Sequence, residues 1–231
     1  MTLCREWSLV KSAGAEAYAK PLKCRSWSCE FCRPERKSQL CARAASGVPN
    51  RFLTLTSNPR WGNSPAERLR GLSHAWALTV KRLRREHPGK EIEYLAIAEE
   101  TLAGEPHLHI LLRSPYIPQP QLSAYMRELI DAPIVDIRVV KNVREAVSYV
   151  AKYIAKAPAQ FGNAKRYWAS KNYELTNEAF DPISPLPDVP WKVERESLEG
   201  VIRRWMYEGK ATRQYRGEIV IGIPQAGWQP P

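Results

Sequence analysis

Between residues 51 and 156 the spacing of apolar positions switches several times between periods of two and about 3.6, and each switch marks an element. "RFLTLTS" (51–57) is rich in β-formers and reads as a strand. Ser64-Pro65-Ala66-Glu67 has the form of a capping box with proline at the first helical position, and the apolar stripe after it predicts a helix to about Glu86. "EIEYLAIAEE" (91–100) and "HLHILLR" (107–113) read as strands joined by "TLAGEP", whose Gly and Pro mark a turn, so the two form a hairpin. "QPQLSAYMRELI" (119–130) is a helix, "IVDIRVV" (134–140) a strand, and "NVREAVSYVAKYIAK" (142–156) a helix capped by Asn142. Upstream, "RPERKSQLCARAAS" (33–46) reads as a short helix opened by Pro34.

The order from 51 onward is β-α-β-β-α-β-α, the split βαβ plan of ferredoxin-like and RRM-like folds with one added helix. It predicts an α+β protein with an antiparallel sheet, helices on one face and the other face free for a substrate. Three segments follow: a Cys-rich basic segment 1–47, a core 48–158, and an extension 159–231. In the extension "FDPISPLPDVPW" is Pro-rich and extended, "WKVERESLEGVIRRWMYEG" is helical and "GEIVIGI" is a short strand.

Within "PHLHILL" the alternation sends Leu108, Ile110 and Leu112 to one face, and His107 and His109 to the other, roughly 6–7 Å apart. Two of the chain's four histidines on one strand face suit either a divalent metal or a hydrogen-bonded core pair, and the rest of the chain decides between them. The preceding strand ends in Glu99-Glu100, so one carboxylate falls opposite the pair. A one-residue slip exchanges which of the two faces the site.

Charge narrows the ligand class. The 231 residues carry 35 Lys and Arg against 24 acids, a net charge of +11. Residues 1–60 alone hold eleven Lys and Arg against four acids, so most of the excess lies at the front. With eight Trp and ten Tyr interleaved, this balance fits a nucleic acid. No apolar run approaches a membrane span and "MTLCREWSLVK" lacks a signal-peptide pattern, so a cytoplasmic protein with no membrane partner is expected. There is no GxxxxGK[ST] loop, hence no ATP-driven motor of that type.

Five cysteines without a secretion signal argue against a disulfide framework. "CRSWSCEFC" instead brings Cys24, Cys29 and Cys32 together in a C-x4-C-x2-C knuckle suited to tetrahedral Zn²⁺. The fourth ligand is Cys4, from a segment free to fold back, in preference to Cys41 on the following helix. Four protein ligands make such a zinc structural. In "SYVAKYIAK" (148–156), Tyr149 and Tyr153 are one helical turn apart and share a face. Val143, Val147, Val150 and Ile154 form the buried stripe, with Lys152 and Lys156 on the tyrosine flank. A phenol is a poor nucleophile at neutral pH unless a metal polarises the target phosphate and an ammonium supports the charge that develops.

These residues resemble the HUH endonucleases, and among them the rolling-circle replication initiators. "FLTLT" is similar to their first motif, "PHLHILL" to their His-hydrophobe-His motif, and "YVAKYIAK" to the two-tyrosine motif of gene A initiators of small single-stranded DNA phages. The motifs stand in family order, and a Cys-rich knuckle precedes the first motif in phage and plasmid relatives too. The resemblance implies the HUH nuclease fold, with Glu99 joining His107 and His109 around Mg²⁺ or Mn²⁺. It further implies catalytic Tyr149 and Tyr153, supported by Lys152 and Lys156. The expected activity is site-specific nicking and strand transfer on single-stranded or supercoiled DNA at a replication origin, through a 5′-phosphotyrosine. A host helicase and polymerase would unwind and synthesise. A two-tyrosine HUH transposase shares these features. A non-catalytic zinc-containing single-strand binder is the reading from another class, although "RFLTLTS" offers only Phe52 as a stacking aromatic.

Overall fold

The computed structural model describes residues 4–155, 161, 165–174, 186–215 and 218–226, with backbone alone at 146, 149, 153–155 and 215. In chain order the elements begin with β1 (Ser8–Ala13), β2 (Glu16–Pro21), α1 (Cys32–Ser46), β3 (Arg51–Thr56) and α2 (Pro65–Glu86). There follow β4 (Glu93–Glu100), β5 (Pro106–Arg113), α3 (Gln119–Ile130), β6 (Val135–Val139) and α4 (Val143–Ala155). The chain ends with β7 (Tyr167–Ala169), β8 (Lys192–Glu194), α5 (Leu198–Tyr207), β9 (Lys210–Tyr215) and β10 (Ile219–Pro224). Met1–Glu35 with Asp181–Pro231 make one compact unit, and Arg36–Phe180 the other. Among the described residues no helix is long and apolar enough to cross a membrane.

The larger unit is built on an antiparallel sheet of order β6-β3-β5-β4-β7. Its first four strands have the ferredoxin-like order expected, and the α+β class holds. Strand alternation sends Leu53, Leu55, Ala96, Ala98, Leu108, Ile110 and Leu112 to one face, where they pack against Leu72, Trp76 and Leu83 of α2 and Leu122 and Met126 of α3. The His-bearing face is not free, as the strand order had suggested. Leu95, Ile97 and Leu111 share it and are fully buried, and α4, whose Val150 is fully buried too, runs against β4. Glycine is required in the β4–β5 turn: Gly104 has φ +79° and donates its N–H to the Thr101 carbonyl at 3.0 Å.

Helix α2 starts where its sequence says it should. Ser64 Oγ accepts from Glu67 N–H at 3.2 Å, with Pro65 as the first helical residue. The Glu67 carboxylate accepts from Asn63 N–H at 2.7 Å, one residue earlier than a capping box has it. At its far end Glu86 accepts from Tyr125 Oη of α3 at 2.7 and 2.8 Å, while the Arg82 guanidinium lies 3.9 Å over the Tyr125 ring.

The smaller unit holds a second antiparallel sheet, β8-β1-β2-β10-β9, with α5 on one face. Val201 and Trp205 of α5 pack on Val10, Ala17 and Ala19. A Cβ at Gly222 would stand 2.6 Å from the Trp205 ring, so this crossing admits only glycine. Strands β1, β2 and β9 were not expected, because "SLVKSA", "EAYAKP" and "KATRQY" are poor in β-formers and owe their conformation to pairing. One local signal was available: Ala13 pairs with Glu16 around Gly14-Ala15, with positive φ at Gly14 alone, the pattern of a Gly-X hairpin turn. Of the expected extended segment 180–191, residues 180–185 lie outside the described residues; the helix expected over 191–209 starts only at Leu198, and Lys192–Glu194 form β8 instead because they pair with β1.

The hydrogen bond from Tyr125, aided by Arg82, holds the Glu86 carboxyl below its ordinary value of 4.5. A depressed acid stabilises the fold above its unfolded pKa and loses that contribution as pH falls through the folded one. Tyr125→Phe is expected to lower unfolding free energy by about 1 kcal/mol at pH 7. In urea titrations repeated downward from pH 4.5, the gap to wild type should close.

Candidate metal centres and nucleophile helix

The register of the β4–β5 hairpin pairs Glu99 with His107 and Ile97 with His109, while Glu100 pairs with Pro106. Since directly opposed residues share a face, Glu99 joins the two histidines and Glu100 does not. One ligand atom from each of Glu99, His107 and His109 lies within 4.8 Å of the others, close enough to hold a single ion. The donor set, two imidazoles and a carboxylate, is one that divalent first-row metals accept.

His109 is the more constrained ligand, at 4 % exposure. Its Nε2 stands 2.5 Å from Glu99 Oε2, its Nδ1 stands 3.1 Å from Thr54 Oγ1, and its ring stacks on Phe52 with centroids 5.7 Å apart. Thr54 pairs with His109 across β3–β5, so its hydroxyl arises from the same alternation that aims the histidine. With Nδ1–H donated to Thr54, the Nε2 lone pair is left for a metal. Thr54 was missed in the sequence, although "FLTLT" already puts Phe52, Thr54 and Thr56 on one face. His107 is half-buried, and burial pulls its pKa down against the opposing pull of Glu99 and Glu105. It is therefore the neutral ligand form at physiological pH. Glu105 is held by Arg68 through bonds of 2.6 and 2.8 Å and lies outside the ligand group.

Helix α4 begins at Asn142, whose Oδ1 accepts from Arg144 N–H at 2.9 Å. Positions 149 and 153 lie one turn apart on this helix, which runs against β4, the strand that carries Glu99. Lys152 is exposed; the side chains of Tyr149 and Tyr153, and the whole of Lys156, lie outside the described residues. In the larger unit β7 lies beside β4: Trp168 packs on the core and Tyr167 pairs with Ile97 on the His-bearing face. A cleft of about 260 Å³ opens beside Phe52, lined also by Arg138, Lys141 and Asn142.

In the smaller unit Cys4, Cys24, Cys29 and Cys32 converge, all four sulfurs within 4.8 Å of one another. Cys4 Sγ lies 3.4 Å and Cys24 Sγ 3.8 Å from Cys32 Sγ. Cys41, the alternative fourth ligand, is not in the cluster. Burial pushes the Cys4 thiol up to about 12, whereas the backbone N–H groups of Cys32 and Phe31 pull Cys29 down to about 7. Four convergent sulfurs with no disulfide among them fit tetrahedral zinc and leave no open position.

The fold and these two ligand groups define an α+β protein with a four-cysteine cluster and a carboxylate–bis-histidine group on an antiparallel sheet. Residues 50–158, from β3 through α4, match the family model of the ORF2-type replication-associated proteins. No curated protein and no solved structure matches the chain.

Two measurements probe the centres. Thr54→Val keeps the shape but removes the hydroxyl that orients His109, and should weaken Mn²⁺ binding by roughly 10- to 100-fold in calorimetric titration. Purified protein should contain about one zinc, and Cys29→Ser should lose it and melt at a lower temperature. An intact fold with no zinc would leave the cysteines as plain core residues.

Proposed function

We propose that the protein is a metal-dependent, site-specific single-stranded DNA nickase and strand transferase that initiates rolling-circle replication. The observation that carries this reading is the meeting of Glu99, His107 and His109 within the segment that matches the replication-associated family. A Mg²⁺ or Mn²⁺ ion held by these three residues would supply Lewis-acid polarisation of the scissile phosphate. Tyr149 or Tyr153 attacks phosphorus, and the Tyr–O–P bond forms as the bond from phosphorus to the 3′ oxygen breaks. The departing oxygen keeps the bonding pair and takes up a proton, giving a free 3′-OH primer and a 5′-phosphotyrosine. Lys152 and Lys156 offset the charge that develops at the phosphate. The second tyrosine then accepts the strand in the terminating transfer. A host helicase and polymerase complete the cycle, and the basic surface holds the origin strand.

Incubation with circular single-stranded DNA and Mn²⁺ should give a protein–DNA adduct that survives denaturation. His107→Ala with His109→Ala should abolish it while leaving salt-dependent DNA binding largely intact. Tyr149→Phe and Tyr153→Phe should each still cleave once, and only the double substitution should remove the adduct. One dead single variant beside one near-normal one would refute alternation and keep the nickase. No adduct from the wild type at any metal concentration would refute the nickase itself.

A further inference from the structure

The smaller unit carries a cationic cluster that the nicking reaction does not use. Lys11 of β1 and Lys20 of β2 project from the sheet face opposite α5, on diagonal positions of the hairpin. Lys11 Nζ lies 4.7 Å and Lys20 Nζ 4.3 Å from the centroid of one indole ring, that of Trp191. Two ammonium groups thus stand within about 9 Å of each other across a single aromatic ring.

Among the described residues no carboxylate pairs with either ammonium. Lys11, buried, donates to the neutral Pro187 carbonyl at 2.6 Å, and Lys20 has no carboxylate partner. Glu16, the one acid of β2 on this face, accepts from Tyr18 Oη. Lys23 just beyond β2 is taken by Glu35 and Glu218. Burial together with the charges of Arg25, Lys11 and Lys23 lowers the Lys20 pKa, the signature of a cation crowded by cations.

The backbone ladder explains why the crowd persists. Beyond β1 and β2 it continues through Arg5 N–H to the Leu22 carbonyl and Leu22 N–H to the Trp7 carbonyl. That carries the two chains directly to Cys4 and Cys24, so the cysteine cluster clamps this end of the hairpin and fixes Lys23 and Arg25 near Lys20.

We propose that Lys20 and Arg25, with Trp191 and the buried Lys11 behind Lys20, form a phosphodiester-binding site separate from the nicking centre, which takes the backbone of DNA. A polyanion supplies the counter-charge, and the indole holds the Lys20 ammonium in position for phosphate oxygens while the buried Lys11 adds to the positive field. The choice of DNA as the polyanion rests on the replication reading; the site itself does not.

The test uses the full zinc-loaded chain without Mg²⁺ or Mn²⁺, fluorescence anisotropy, and two labelled 30-nucleotide probes, one single-stranded and one duplex. Lys20→Gln should weaken binding several-fold and flatten the salt slope by about 0.7 for a single strand or 0.9 for a duplex. The probe that shows the loss identifies which backbone is held. Lys20→Arg should bind as the wild type does. In the unaltered protein, DNA should shield Lys20 from amine acetylation, read by mass spectrometry, which needs no variant to fold. Wild-type affinity and slope for Lys20→Gln on both probes, or acetylation of Lys20 undiminished by DNA, would overturn the site. Adduct formation by the unaltered protein with circular single-stranded DNA and Mn²⁺ is scored separately, so failure here and failure of the nickase reading are told apart.

Discussion

In an antiparallel pair a slip of one residue sends every side chain to the opposite face, and the β4–β5 hairpin is where that constraint bears hardest on this molecule. Its register puts Leu108, Ile110 and Leu112 under α2 and α3, and in the same stroke puts His107 and His109 opposite Glu99 and Ile97. The apolar face pins the register, since moving those leucines to the other side would empty the core at its centre. The ligand geometry is thus held by hydrophobic burial several ångströms away from any ligand. Neither histidine needs a dedicated scaffold.

Burial then shapes the chemistry. His109 is sealed among Phe52, Thr54 and Glu99, so its ring has one orientation, while the half-buried His107 is kept neutral by desolvation. A neutral imidazole and a carboxylate suit a cation, and His109 Nε2 and Glu99 Oε2 stand 2.5 Å apart. The cover over the His-bearing face matters equally. With α4 along β4, the face is a partial enclosure, and Phe52, Arg138, Lys141 and Asn142 line a cleft at its edge.

The smaller unit follows a different logic. Outside β10 its strands are rich in Ala and Lys, and the sheet makes a modest core around Trp205, Val201 and Val10. The four cysteines converge at the end of the β1–β2 hairpin away from Gly14, where a bound zinc would add folding free energy to a small sheet.

By itself the sequence determined every element from 51 to 156, to within one or two residues at most ends, because long strictly periodic segments bounded by Ser64-Pro65, Gly104 and Asn142 leave little choice. It also determined that the two histidines share a face and that positions 149 and 153 lie one helical turn apart on α4, since both follow from local periodicity. Only the tertiary structure decided that Glu99, not Glu100, meets the histidines, because register is a property of a pair of strands. The same holds for Cys4 over Cys41, a contact across more than twenty residues of chain. The strands β1, β2, β8 and β9 were invisible for a related reason. Segments such as "EAYAKP" have little intrinsic preference for extension, and they become strands only when partners distant in the chain satisfy their backbone hydrogen bonds.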